Sequence, residues 1–204
     1  MQELFKEIIS KDVKPFFSKH GYLKKDLNFY KSSEPLVYKF NIQKSKANTW
    51  NHVLFYINCS IHSTELALLQ STPTSAPPLE AKSHFTTRIE QISPSAPDRY
   101  SLTPDIDPDK FSDALLLHLQ EALTFMHSMT SARAIVDYYM ERTALHLSEE
   151  TFRFLLLAGD TEAAGQYLKQ LQLKYGTEKR WAIFEKKYKA IFEEYGVRYM
   201  LNIV

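Results

Sequence analysis

Cysteine occurs once in the 204 residues and glycine five times. A lone thiol, Cys59, cannot close an internal disulfide, which excludes a disulfide-stapled fold and suits a reducing compartment. Five isolated glycines leave no Gly-rich loop to cradle a phosphate, and they exclude a collagen-like repeat. Long apolar runs are missing too: stretches such as Phe154–Ala158 fall far short of the roughly 18 residues a membrane-spanning helix needs. The opening MQELFKEIISKD breaks its apolar residues with charge, so no secretory leader is expected. These features predict a cytoplasmic chain with no membrane partner. An excess of either charge is also absent, since 25 Lys and Arg face 24 Asp and Glu. A net charge of +1 gives little long-range steering, so nucleic acid is not an expected partner. The sign is unevenly spread, at +5 over residues 1–62, −5 over 63–148 and +1 over 149–204. A fold that packs these regions together would cancel the polarity.

Aromatic residues are plentiful, with 13 Phe and 12 Tyr. That supply of surface to bury excludes disorder, and the length suits one core with an appended helical piece.

Residues 2–19 set Leu4, Phe5, Ile8, Ile9, Val13, Phe16 and Phe17 at helical spacing. Pro15 should kink this helix unless Asp12 caps a fresh start, and Gly21 reads as its left-handed terminator. From residue 27 to 62 the apolar period becomes two. Leu36, Tyr38, Phe40 and Ile42 alternate with polar neighbours, as do Val53, Phe55, Ile57, Cys59 and Ile61. With a shorter strand near Asn28–Lys31, they predict an antiparallel meander, one face on the N-terminal helix and the other wet.

Residues 63–83, with the run STPTSAPPLE, read as a mobile surface loop. The segment 84–92 (HFTTRIEQI) reads as a strand, and Tyr100–Leu102 as a short extended piece. Everything after Asp107 is helical in pattern. Asp107 caps and Pro108 opens a helix with Phe111, Leu115, Leu119, Ala122, Leu123 and Met126 on one side. Ser131, Ser148, Asp160 or Thr161, and Thr177 are the expected starts of four further helices. Gly159 ends one and Gly176 another. The fold class is α+β: an N-terminal helix on an antiparallel sheet, then a C-terminal multi-helix region. Residues 1–146 make the α+β domain and 147–204 an appended three-helix unit.

Most constellations fail on chemistry. Asp105, Asp107 and Asp109 mimic the start of a calcium loop, but Lys110 stands where Gly is needed and Leu116 where a bidentate Glu is required. The seven histidines contain no pair at i, i+3 or i+4, so no metal and no cofactor is expected. Cys59 is in phase with Val53, Phe55 and Ile57 and reads as core. The segment 180–188 (RWAIFEKKY) interleaves basic and aromatic residues, yet Trp181, Phe184 and Tyr188 form a buried stripe. The remaining polar set is Gln43, Lys44, Ser45, Tyr56 and Asn58, with Asn41. On the wet sheet face these can recognise a polar ligand or a peptide edge, and they can equally be the hydrated outer face of a half-buried sheet. No general base is among them, which argues against catalysis and leaves no catalytic residue to name. A dispersed enzyme site from His62, His84, Tyr56 and Arg88 is the alternative.

The stretches KEIISKDVKPFFSKHGYLKKDLNFYK, VYKFNIQKS and VLFYIN resemble the opening of the bacterial family catalogued as domain of unknown function 4304. HFTTRIEQI resembles its middle and FSDALLLHLQEALTFMHSMTSARAIVDYY its helical close, so the resemblance covers about residues 3–140. Where that family often carries a Trp-rich W-W-x-L stretch, this chain has Arg99-Tyr100-Ser101-Leu102. The resemblance implies an α+β fold and supplies no activity. The expectation is therefore a non-catalytic binding module with another protein as partner, a toxin-immunity-like role being one form of it.

Overall fold

The computed structural model describes residues 1–70 and 80–199. Contacts divide the chain into two units, the described parts of Met1–Ser63 with Ala76–Thr130, and of Thr64–Ser75 with Ser131–Val204.

The first unit begins with a rod of α1 (Gln2–Ile8), a π turn (Ile9–Val13) and α2 (Lys14–Lys19). Pro15 offers no N–H, and the wide turn before it absorbs the loss: Lys14 N–H donates back to the Ile9 carbonyl. The sequence predicts a kink at Pro15 or a fresh start capped by Asp12; the structure runs from α1 through the π turn into α2 without a break. Asp12 instead accepts a hydrogen bond from Ser112 at 2.8 Å. Gly21 ends the rod at φ +80°, with Tyr22 N–H on the Phe17 carbonyl and Gly21 N–H on Ser18. That is the two-bond Schellman ending, which requires a residue tolerant of positive φ.

Six strands follow: β1 (Leu23–Lys25), β2 (Asn28–Ser33), β3 (Leu36–Lys44), β4 (Val53–Ser63), β5 (Phe85–Arg88) and β6 (Tyr100–Leu102). All pairings are antiparallel, in the order β1-β2-β3-β4-β5, and β6 shares the outer edge of β4 with β5. The eleven residues of β4 make this possible, since Asn58–Ile61 pair with β5 and Val53–Phe55 with β6. The segment expected as one strand over 84–92 is a strand only to Arg88; a 3-10 turn takes Ile89–Gln91 and buries Ile89. Within the expected loop 63–83, α3 (Thr64–Leu68) is a short helix, and residues 71–79 of STPTSAPPLE lie outside the described residues.

Alternation assigns the sheet's two faces. Phe29, Phe40, Ile42, Phe55, Ile57, Cys59 and Ile61 are buried on one of them. The rod supplies Phe17, whose ring stacks on Phe29 at 4.4 Å and meets Phe40 at 5.0 Å and Tyr22 at 5.2 Å. α4 (Pro108–Ser128) covers the rest with Leu115, Leu119, Ala122, Leu123 and Met126. Asp107 caps it, accepting from the N–H groups of Asp109 and Lys110. The cap spends the carboxylate that a calcium loop would have used.

The second unit holds α5 (Ala132–Glu141), α6 (Ser148–Leu157), α7 (Thr161–Tyr175) and α8 (Trp181–Glu194). Ser131 and Asp160 cap α5 and α7 as their sequence positions predict. Ser148 does not cap α6: its hydroxyl donates to the Leu145 carbonyl and accepts from Tyr188. Thr177 does not open α8 either, which starts four residues later after turns closed by Glu178 and Trp181. Phe152 centres this core, 4.6 Å from Tyr188 and 5.2 Å from Tyr167. Trp181 and Tyr188 are buried, so they are not available to stack on bases.

Phe17→Ala removes the ring that joins rod to sheet. A loss of about 3–5 kcal/mol is expected for so buried an aromatic, read as a lower denaturation midpoint with an unchanged slope.

Candidate functional site

The sheet's second face is polar because the alternate residues of the same strands are polar. Register aligns Lys25, Asn28, Asn41, Asn58 and Arg88 in one row across five strands. Side-chain amides link that row: Asn58 Nδ2 donates to Asn41 Oδ1 at 3.1 Å and Asn41 Nδ2 to Asn28 Oδ1 at 2.7 Å. Asn58 Nδ2 also donates to Gln43 Oε1 at 3.0 Å, so both of its protons are engaged. Gln43 lies opposite Tyr56, and the Arg88 guanidinium stands over the Tyr56 ring at 4.4 Å. The result is an amide ladder that ends on a cation–aromatic pair.

Three of the expected ligand-binding residues, Gln43, Tyr56 and Asn58, therefore meet on one face. Lys44 does not join them, because its register partner is Phe55 on the buried side. Its ammonium reaches Gln2 Oε1 at 2.5 Å and lies 5.2 Å from the Phe5 ring centroid. Ser45 lies beyond β3 and accepts from Ala47 N–H within the connection. Asn28, the first residue of β2, was missed. Its place in the ladder follows only from the β2–β3 register.

The histidines fall into two settings. His62 and His84 meet with ring centroids 5.1 Å apart, both buried. His62 Nδ1 contacts the Lys82 carbonyl at 3.0 Å, and His84 Nδ1 accepts from Ser63 N–H at 3.0 Å. The first contact calls for a proton on Nδ1 and the second for a lone pair there. His62 lies four residue steps along β4 from Asn58, a span of about 13 Å along a strand. His62 with His84, and Tyr56 with Arg88, are thus two separate clusters and share no reacting point. Among the described residues, no group of three or more His, Cys, Asp or Glu can hold a metal ion.

His118 and His127 anchor α4 instead. Tyr100 pairs with His118 Nδ1 at 3.1 Å and Tyr22 with His127 Nε2 at 3.0 Å. Burial pushes both imidazoles below their ordinary range; Glu121 opposes this at His118, while Lys31 and His20 add to it at His127. Hydrogen bonds from Ser93 and Ser95 hold Glu121 below the usual carboxylate range. Burial drives the Tyr22, Tyr100 and Cys59 groups well above theirs, which leaves Cys59 a neutral core thiol. The phase of His118 with Leu115, Leu119 and Ala122 was the sequence signal for its inward position.

A lowered histidine pKa means that the unfolded chain binds more protons just below pH 6.5. The stabilisation is whole above that pH and is lost as pH falls through the folded values. The thermal midpoint should hold level above pH 7 and drop on acidification. Double substitution of His118→Gln and His127→Gln should flatten the drop between pH 6.5 and 5, measured by calorimetry.

No helix among the described residues is long and apolar enough to cross a membrane. No curated protein matches the chain significantly. No solved structure does so either. A family model does, over residues 13–138, from the π turn of the rod into α5. That span holds every residue of the amide ladder, and the chain belongs to the family described as domain of unknown function DUF4304.

Proposed function

We propose that this protein works by binding, with the outer sheet face as its recognition surface and another protein as its ligand. The observation that carries this reading is the ladder of Asn28, Asn41, Asn58 and Gln43, fixed by side-chain hydrogen bonds across β2, β3 and β4. Primary amides both donate and accept, so a surface of them matches the polar edges of a polypeptide. Fixing them on a sheet beforehand reduces the ordering cost that binding would otherwise incur. Arg88 over Tyr56 adds a planar cation and an aromatic ring, two residue types enriched where binding energy concentrates. Amides do not titrate, and the ladder supplies no proton acceptor for general-base chemistry. The mode is contact and shape matching, in a cytoplasmic setting.

The test is affinity capture from a lysate of the source cells with wild-type chain and with the double variant Asn58→Ala, Arg88→Ala, both confirmed folded by circular dichroism. At about 1–3 kcal/mol for each residue of this kind, the wild type should retain a stoichiometric partner that the variant loses at least tenfold. Equal retention by both proteins, or a wild type that retains nothing, would contradict the reading.

A further inference from the structure

Beside the ladder, the same face carries a cleft of about 200 Å³. It is lined by the register pair Tyr30 and Lys39 with Asn28 and Phe29 on β2, by Lys25 and Asp26 from β1 and its turn, and by Glu80 from the segment before β5. The Glu80 segment is held against the sheet: Lys39 Nζ donates to the Ala81 carbonyl at 3.0 Å, and one residue on, the Lys82 carbonyl meets His62 Nδ1 at 3.0 Å. Ala81 is buried as a result. The cleft is thus built by segments far apart in the chain, one of them being the end of β1 and its turn at Asp26 (φ 56°).

Its size and charge select the occupant. Drug-sized ligands occupy pockets of roughly 300–1,000 Å³, so this one suits a smaller molecule. Two lysines, Lys25 and Lys39, and two acidic residues, Asp26 and Glu80, are among its lining residues, and Lys39 keeps its hydrogen bond to the Ala81 carbonyl. A simple anion would be drawn to the lysines and repelled by the acids, and a simple cation the reverse. A molecule carrying both charges on neighbouring atoms meets a partner for each. The Asn28 amide and the Tyr30 ring remain to orient its body. Lys39 is half-buried, and its interactions are screened less than those of a surface lysine.

We infer that the cleft lined by Lys25, Asp26, Tyr30, Lys39 and Glu80 is a binding site for a small zwitterion of the size of a free α-amino acid. Burial depresses the Lys39 pKa, and a carboxylate bound beside it would restore part of the lost stabilisation. The site shares Asn28 with the ladder but does not rest on protein recognition by it.

The test is a titration of the full chain with glycine, alanine and glutamate, following backbone amide shifts of Asn28, Tyr30, Lys39 and Ala81 by NMR. Acetate and methylammonium, each carrying one charge, are the controls. The inference predicts saturable shifts at these four positions with at least one amino acid, and at least tenfold weaker response to either control. Lys39→Met and the milder surface change Glu80→Gln should each weaken binding at least tenfold. The double variant Asn58→Ala, Arg88→Ala should bind as the wild type does, so failure of the ladder reading leaves this outcome unaffected. No saturable shift with any of the three amino acids, or acetate binding as tightly as they do, would overturn it.

Discussion

The structure depends on one constraint: a single sheet must bury one face completely while the other stays polar. Phe17 enforces it from the rod, packed on Phe29 and Phe40, which are the core-side residues of adjacent strands. A slip of one residue in β3 would carry Phe40 and Ile42 to the outside and Asn41 to the inside. Aromatic packing on the inner face therefore fixes the register that builds the amide ladder on the outer one. Tyr22–His127 and Tyr100–His118 pin α4 to the same inner face, and Tyr38 adds a third bond to the Met129 carbonyl at 2.8 Å. The core and the candidate recognition surface are two sides of one alternation.

Where a local rule met no competitor, the sequence reading of the fold held. Alternation over 36–43 and 53–61 marked β3 and β4, and Asp107, Ser131, Asp160 and Gly21 do what their positions suggested. Tertiary demands explain the departures. Ser148 has the right chemistry for a cap, but Tyr188 and the Leu145 carbonyl claim its hydroxyl. β1 is three exposed residues, Leu-Lys-Lys, with no apolar alternation to announce it. The π turn before Pro15 has no sequence signature apart from the proline itself.

The polar face was legible only in part, for similar reasons. Period two places Asn41, Gln43, Tyr56 and Asn58 outward, yet pairing distance depends on register, which is a property of two strands together. Lys44 shows the cost of reading a polar cluster as contiguous sequence: it lies beside Gln43 in the chain and on the opposite side of the sheet. Lys39 and Glu80 are separated by forty residues in sequence, and no spacing rule joins them. The cleft exists because Ala81 and Lys82 are latched by backbone carbonyls, contacts that side-chain patterns do not encode.

What distinguishes this outer face from an ordinary hydrated one is that its amides are already committed to one another before any ligand arrives. Side-chain amide hydrogen exchange, resolved by NMR on the free protein, measures that commitment directly. The Asn58 side chain donates both of its protons and should exchange markedly more slowly than the terminal amides of Asn28 and Gln43. Equal, fast exchange at all of these side chains would mean that the ladder is not formed in the free protein, and would contradict the account.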